Sequence, residues 1–130
     1  VQNSTGRPAA ISAFGSTTAN KNLLTLVARH LPEQVFGYFI NSDVQGFTPL
    51  PPGSSGNLCL GGVIGRHAKQ IASSGDAGRL VIDVDLTVLP RPNGTHSVVA
   101  GETWNFQCWF RDDQGGHTSN FTDGIEIVFL

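Results

Sequence analysis

A two-residue alternation of apolar and polar side chains is the feature that most constrains the fold of this chain. In RLVIDVDLTVL, residues 79–89, Leu80, Ile82 and Val84 lie on one side of an extended chain, with Asp83 and Asp85 on the other. A period of two with one apolar side is typical of a half-buried antiparallel strand.

The segment GETWNFQCWFRDDQGGHTSNFTDG, residues 101–124, has the same alternation, together with an unusual density of aromatic, cysteine and acidic residues. Such a density is compatible with a functional site, but the period of two indicates a buried strand followed by a polar turn. One side of this strand carries Trp104, Phe106, Cys108 and Phe110, and the other carries Asn105, Gln107, Trp109 and Arg111. We expect Trp104 and Phe106 to lie in the core.

Further strands are predicted at 22–31, at 34–42, where both sides are apolar, and at 124–130. Turn-forming runs separate the strands: PLPPGSSGN at 49–57, SSGDAG at 73–78, PRPNG at 90–94 and DDQGG at 112–116. No convincing helical stripe is present. The sequence therefore predicts an all-β protein with a single antiparallel β-sandwich domain over residues 1–130, Ig-like or jelly-roll-like, in which residues 1–14 form an extended or exchanged N-terminal arm.

Composition restricts the partners and the location. Charged residues make up 14% of the chain, the net charge is −2, and the eight Lys and Arg residues are scattered, whereas nucleic-acid binding needs clustered cations. No apolar run approaches the roughly 18–20 residues that span a bilayer. The abundance of Gly, Ser, Thr and Asn is typical of secreted β proteins, so we expect a secreted, extracellular or cell-surface location. Because the chain starts at Val1 and has no methionine, we expect a processed mature chain or an excised segment.

The two cysteines, Cys59 and Cys108, lack the spacing of a zinc or redox motif. With an extracellular composition and an inward-facing Cys108, the favoured interpretation is a Cys59–Cys108 disulfide. The alternative is two separate buried thiols.

Several segments together resemble a small, often C-terminal module of secreted and surface proteins of planctomycete- and myxobacterium-like bacteria. The resembling segments are NSTG at 3–6, FGYFINSDVQGF at 36–47, GSSGNLCLGGVIGR at 53–66, GETWNFQCWFRD at 101–112 and SNFTDGIEIVF at 119–129. The resemblance implies a secreted bacterial β-sandwich appended to surface proteins, and it implies no activity. Members of the module often carry a cysteine before the NSTG segment, which this chain lacks, so Cys108 is the only candidate partner for Cys59 within the chain.

No catalytic motif is apparent, and we expect neither enzymatic activity nor a cofactor. The four histidines, His30, His67, His96 and His117, share no metal-binding spacing. The carboxylates of Asp112, Asp113 and Asp123 could converge at one end of the sandwich and bind calcium, although their spacing matches no EF-hand loop. A small hydrolase dependent on Asp112 or Asp113 is a further alternative.

Outward-facing Trp109 and Tyr38 are the candidates for an apolar platform that binds a sugar ring. Three Asn-x-Ser/Thr sequons begin at Asn3, Asn93 and Asn120, and turn preference and chance suffice to explain them.

The favoured function is a non-catalytic structural or interaction module that associates with copies of itself or with other surface proteins, in a dimer, a filament or a surface layer. Weakly protected edge strands at residues 1–14 or at Ile125–Leu130 would carry that contact. The alternatives are a frayed N-terminus on a monomer and a carbohydrate-binding module, calcium-dependent or not.

Overall fold

A computed structural model describes residues 1–114 and 117–130 of the chain. The strands are β1 (Ala10–Gly15), β2 (Leu24–Arg29), β3 (Phe36–Ser42), β4 (Gln45–Thr48), β5 (Leu58–Leu60), β6 (Gly65–Arg66), β7 (Ala72–Ser73), β8 (Leu80–Val84), β9 (Leu89–Arg91), β10 (Gly94–His96), β11 (Thr103–Gln114), β12 (His117–Phe121) and β13 (Ile125–Val128). Single turns of 3₁₀ helix occur at Ala19–Lys21 and Ala68–Gln70. Within the described ranges no helix has the length and apolar character needed to cross a membrane. Gly115 and Gly116 of the predicted 112–116 turn lie outside the described residues.

Two antiparallel sheets form the sandwich. The smaller has the order β1-β2-β8, and the larger has the order β12-β11-β3-β6, with β13 also beside β11 and β7 also beside β3. The pairs β4–β5 and β9–β10 form separate two-stranded ribbons. The prediction of an all-β antiparallel sandwich is confirmed.

The core lies between the two sheets, and the alternation read from the sequence determines which side chains enter it. From the larger sheet, the inward side chains of β11 are Trp104, Phe106, Cys108 and Phe110, which are at most 5% exposed. From the smaller sheet, Leu80, Ile82 and Val84 of β8 pack against them in the same cluster. The expected core positions of Trp104 and Phe106 are confirmed.

Gly37 allows the central strand β3 to approach its neighbours closely. A Cβ atom at this position would lie 2.6 Å from the Trp109 carbonyl oxygen and 2.8 Å from Cδ1 of Leu80. Any larger residue would push β3 away from β11 and from the opposite sheet, since packed interiors leave no spare volume.

The outer side of β11 is also covered, because the chain between β3 and β6 folds back over it. Gln107 on this side is fully buried. Its Oε1 accepts a hydrogen bond from the Cys59 backbone N–H at 2.9 Å, and its Nε2 donates to the carbonyls of Asn57 at 2.9 Å and Thr122 at 2.6 Å. The Gln107 amide is thus fully hydrogen-bonded within the protein, on a face of β11 that would contact solvent if the strand were half-buried.

The predicted Cys59–Cys108 disulfide is wrong, because both cysteines are free. Cys108 points into the core, whereas the Cys59 backbone is bonded to Gln107, whose side chain leaves β11 on the opposite side. The β11 backbone therefore separates the two thiols. Cys108 is buried and Cys59 is partly exposed, so the alternative of two separate thiols holds, with only one of them fully buried.

The first residues of the chain dock on the same subunit. The Asn3 side chain is buried and donates to the His30 carbonyl at 2.7 Å, and the Ser4 N–H donates to the Asp112 carboxylate at 3.1 Å. The Asn120 amide donates to the Gln2 carbonyl at 3.1 Å. Exchange of residues 1–14 between subunits stays a prediction, and it would require these contacts to be remade with a second chain.

Candidate binding cleft

Three aromatic side chains form a row across neighbouring strands on the outer face of the larger sheet. Trp109 of β11 is directly opposite Phe121 of β12 on one side and Tyr38 of β3 on the other. The Tyr38 and Trp109 ring centroids are 5.1 Å apart, with 36° between the ring planes. Cross-strand aromatic pairs of this kind stabilise a sheet and also present ring surface on one face.

The aromatic row forms one side of a cleft of about 190 Å³, here called the aromatic cleft. Its lining residues are Tyr38, Ile40, Pro51, Pro52, Ser54, Leu58, Ile64, Arg66, Trp109, Ser119 and Phe121. The loop at 49–57, predicted as a turn, provides the opposite wall.

Backbone and hydroxyl groups hold this wall against β12. The Ser55 N–H donates to the Ser119 carbonyl at 3.0 Å, and the Ser119 hydroxyl donates to the Gly53 carbonyl at 2.9 Å. The buried Ser54 makes an isolated parallel bridge with Ser119. The two walls are thus fixed to each other, and the cleft is preformed.

The cleft is positively charged. Arg66 is directly opposite Ile40 on β3, and it is the one charged residue among the described side chains that line the cleft. Beside the cleft, the Arg111 guanidinium lies 5.4 Å from the centre of the Trp109 ring, a cation–π geometry.

The structure brings Tyr38 and Trp109 together, as a sugar platform requires, but it also changes the expected geometry. Both side chains are half-buried rather than fully exposed, and their tilted rings form the side of a cleft rather than a flat platform. The contributions of Phe121 and Arg66 were missed. Phe121 follows a predicted turn, and the position of Arg66 depends on a two-residue strand that no periodicity reveals.

The predicted carboxylate cluster does not form. Asp112 is buried and binds the Ser4 N–H and the Asn120 amide, whereas Asp113, the next residue, is exposed. Asp123 accepts the Ile11 N–H instead. Among the side chains that the structure describes, which do not include that of His117, no group of three or more His, Cys, Asp or Glu residues is placed to hold a metal ion.

Two histidines belong to polar networks that the sequence does not reveal. Nε2 of the buried His67 accepts a hydrogen bond from Asn41 Nδ2 at 3.1 Å. Arg91 Nη1 donates to the Oδ1 of Asn41 at 2.7 Å. Burial lowers the pKa of His67 to about 4, against a hydrogen bond with Gln70 that raises it. The imidazole is therefore neutral at pH 7.

His96 Nε2 lies 3.0 Å from Glu102 Oε2, a hydrogen bond that is an ion pair when the imidazole is protonated. Burial raises the pKa of Glu102, but hydrogen bonds from the Val99 backbone, His96 and the Trp104 indole outweigh it, and the net pKa is lowered. His96, Glu102 and Trp104 line a shallow depression together with Asp43, Arg91, Thr95 and Thr103. His30 is exposed beside Arg7, and the side chain of His117 lies outside those described.

The three sequons differ in exposure. Asn3 and Asn120 are at most 1% exposed, and both side chains are hydrogen-bonded within the fold. Asn93 lies in the exposed turn between β9 and β10. Asn93 is therefore the sequon asparagine that a modifying enzyme can reach in the folded chain.

A scan against protein-family models and searches of curated proteins and of solved structures found no match to this chain.

Proposed function

We propose that this chain is a non-catalytic extracellular interaction module that binds a saccharide through the aromatic cleft. The observation that carries the proposal is the cross-strand row of Phe121, Trp109 and Tyr38 at the side of a preformed cleft.

The chemistry of the cleft suits a sugar ring. One face of a pyranose is lined by C–H groups and packs on aromatic rings, while its hydroxyl groups need hydrogen-bonding partners at the rim. Ser54, Ser119 and Arg66 supply polar atoms around the aromatic row. At about 190 Å³ the cleft is smaller than the roughly 300–1,000 Å³ of typical small-molecule pockets, so it suits one or two sugar units of a longer chain.

The structural roles of the aspartates support the proposal that the chain is non-catalytic. Asp112 and Asp123 satisfy backbone N–H groups, and no carboxylate is among the lining residues within the described ranges. Glycoside hydrolysis commonly uses a pair of carboxyl groups on either side of the scissile bond. The extracellular part rests on the composition and on the resemblance of the sequence to secreted modules.

Titration with soluble oligosaccharides, followed by tryptophan fluorescence, tests the proposal. We expect a saturable change for wild type and for Phe14→Ala, which removes an exposed aromatic side chain from the smaller sheet. Trp109→Ala removes the reporter tryptophan, so its expected loss of binding is measured by calorimetry. Repeating the titration with a calcium chelator separates calcium-dependent from calcium-independent binding. Absence of binding across neutral and acidic oligosaccharides would refute the proposal.

Self-association is the second candidate function. The observation that favours it is that Phe14, Val128 and Leu130, in the two segments predicted to carry the contact, are 50%, 54% and 68% exposed. Light scattering on wild type and on Phe14→Asp and Leu130→Asp tests it. We expect assembly that grows with concentration in wild type and weakens in a variant; a monomer at every concentration would refute this candidate.

A further inference from the structure

We infer that the saccharide recognised by the aromatic cleft is anionic, with a carboxylate or sulfate on a pyranose ring bound by Arg66. This inference rests on the proposed function and adds the class of ligand to it.

The charge of the cleft is the first observation. The chain as a whole has a net charge of −2, yet the lining residues that the structure describes include one arginine and no aspartate or glutamate. Arg66 forms no ion pair with any side chain of the described residues, where the single pair within 4.0 Å is His96–Glu102. Arg66 is exposed, so its guanidinium at the edge of the cleft is available to an anionic ligand.

The position of Arg66 is the second observation. It is directly opposite Ile40, and Tyr38 lies two residues before Ile40 on the same side of β3. Diagonal neighbours in an antiparallel pair are about 7–8 Å apart, a distance that a long side chain spans. A ring that packs on Tyr38 and Trp109 can therefore place a charged substituent at the Arg66 guanidinium.

Arg111 adds to the positive charge at the aromatic cleft. Its guanidinium lies over the Trp109 ring, so it holds that side chain in place and contributes a second positive charge at the edge of the cleft. Asp113 follows Arg111 by two residues, within an irregular stretch of β11, and it is exposed and makes no ion pair within 4.0 Å of Arg111. Among the described side chains beside the aromatic row, the positive charges of Arg66 and Arg111 therefore exceed the negative charge of Asp113.

Calorimetry with matched oligosaccharides tests the inference. The ligands are an oligogalacturonate, its neutral methyl ester and a sulfated galactan oligosaccharide, each titrated at low and high salt. We expect the methyl ester to bind roughly tenfold more weakly than an anionic ligand, and the anionic affinity to fall with salt. Preference for the oligogalacturonate assigns the charge to a carboxylate, and preference for the galactan assigns it to a sulfate.

Arg66→Ala should remove the difference between charged and neutral ligands, and Arg66→Lys should restore part of it. Arg79→Ala, which removes an exposed arginine outside the cleft, is the matched control and should change nothing. Equal binding of the methyl ester, or an unchanged preference in a folded Arg66→Ala protein, would overturn the inference and leave the proposed function standing. Absence of binding by all the saccharides would overturn both.

Discussion

The carboxylate of Asp123 accepts a hydrogen bond of 2.8 Å from the backbone N–H of Ile11. It joins the free edge of β1 in the smaller sheet to the junction of β12 and β13 in the larger one. Further along, the Leu130 N–H donates to the Thr17 carbonyl at 2.9 Å, and the Ala19 N–H donates to the Leu130 carbonyl at 2.9 Å. These bonds hold the ends of the two segments together, although β1 and β13 are not paired strands.

Replacing Asp123 with Ala should loosen this contact. The Ile11 N–H would lose its acceptor, at a cost of about 1 kcal/mol in the free energy of unfolding, and its hydrogen exchange should become faster. Because N–H groups alternate in direction along a strand, the Ser12 N–H points towards β2 and is the internal control. Unchanged exchange at Ile11 would show that the bond does not form in solution.

Asp112 and Asp113 form a matched pair for testing the role of acids at this end of the sandwich. Asp112→Ala leaves the Ser4 N–H and the Asn120 amide without their acceptor in a buried site, so we expect a loss of roughly 1–3 kcal/mol. Asp113→Ala should change stability by less than about 0.5 kcal/mol, because the side chain is exposed. Urea denaturation of both variants measures the difference in the free energy of unfolding. Equal losses would contradict the placement of Asp112 in a buried site and of Asp113 on the surface.

The thiols should differ in reactivity. Burial raises the pKa of the Cys108 thiol, which keeps it protonated and unreactive, while Cys59 is partly exposed. Mass spectrometry after alkylation of the native, unreduced protein should show one modification, at Cys59, and a second at Cys108 only in denaturant. Failure to alkylate either cysteine in denaturant without a reductant would instead indicate a disulfide.

His67 should make the fold sensitive to acid. Its pKa of about 4 in the folded state lies below the usual 6.5, so between these values the unfolded chain binds more protons. The contribution of neutral His67 to the free energy of unfolding is on the order of 3 kcal/mol. It is complete above pH 6.5 and is lost as the pH falls towards 4. Urea denaturation from pH 7 to pH 4 should give a flatter profile for His67→Gln than for wild type.

The exposed His30 is the control for that experiment, and His30→Gln should keep the wild-type profile. Equal slopes for wild type and His67→Gln would show that His67 titrates normally in the folded state.

The sequence predicted the elements that local patterns determine. The alternation of β11 and β8 correctly identified the inward side chains, because a period of two assigns every second residue to one face. The same pattern did not predict that Gln107 is buried, since that depends on the excursion between β3 and β6, which covers the outer face through non-local contacts.

The prediction of a disulfide was wrong for a related reason. Composition and inward phase placed Cys108 correctly, but the phase of one strand does not determine on which side of it a distant residue lies. For the cleft, Tyr38 and Trp109 could be proposed from their outward phase, whereas Arg66 and Phe121 join them only through strand register.

The most direct test of the proposed binding site uses the two tryptophans of the chain as reporters. Trp109 lines the aromatic cleft, while Trp104 is 5% exposed in the core, with its indole N–H directed to Glu102. In an NMR titration with an acidic oligosaccharide, we predict that the Trp109 indole N–H resonance shifts with saturation and that the Trp104 resonance does not move. A Trp109 resonance that stays in place at saturating saccharide, or a shift confined to Trp104, would contradict the account.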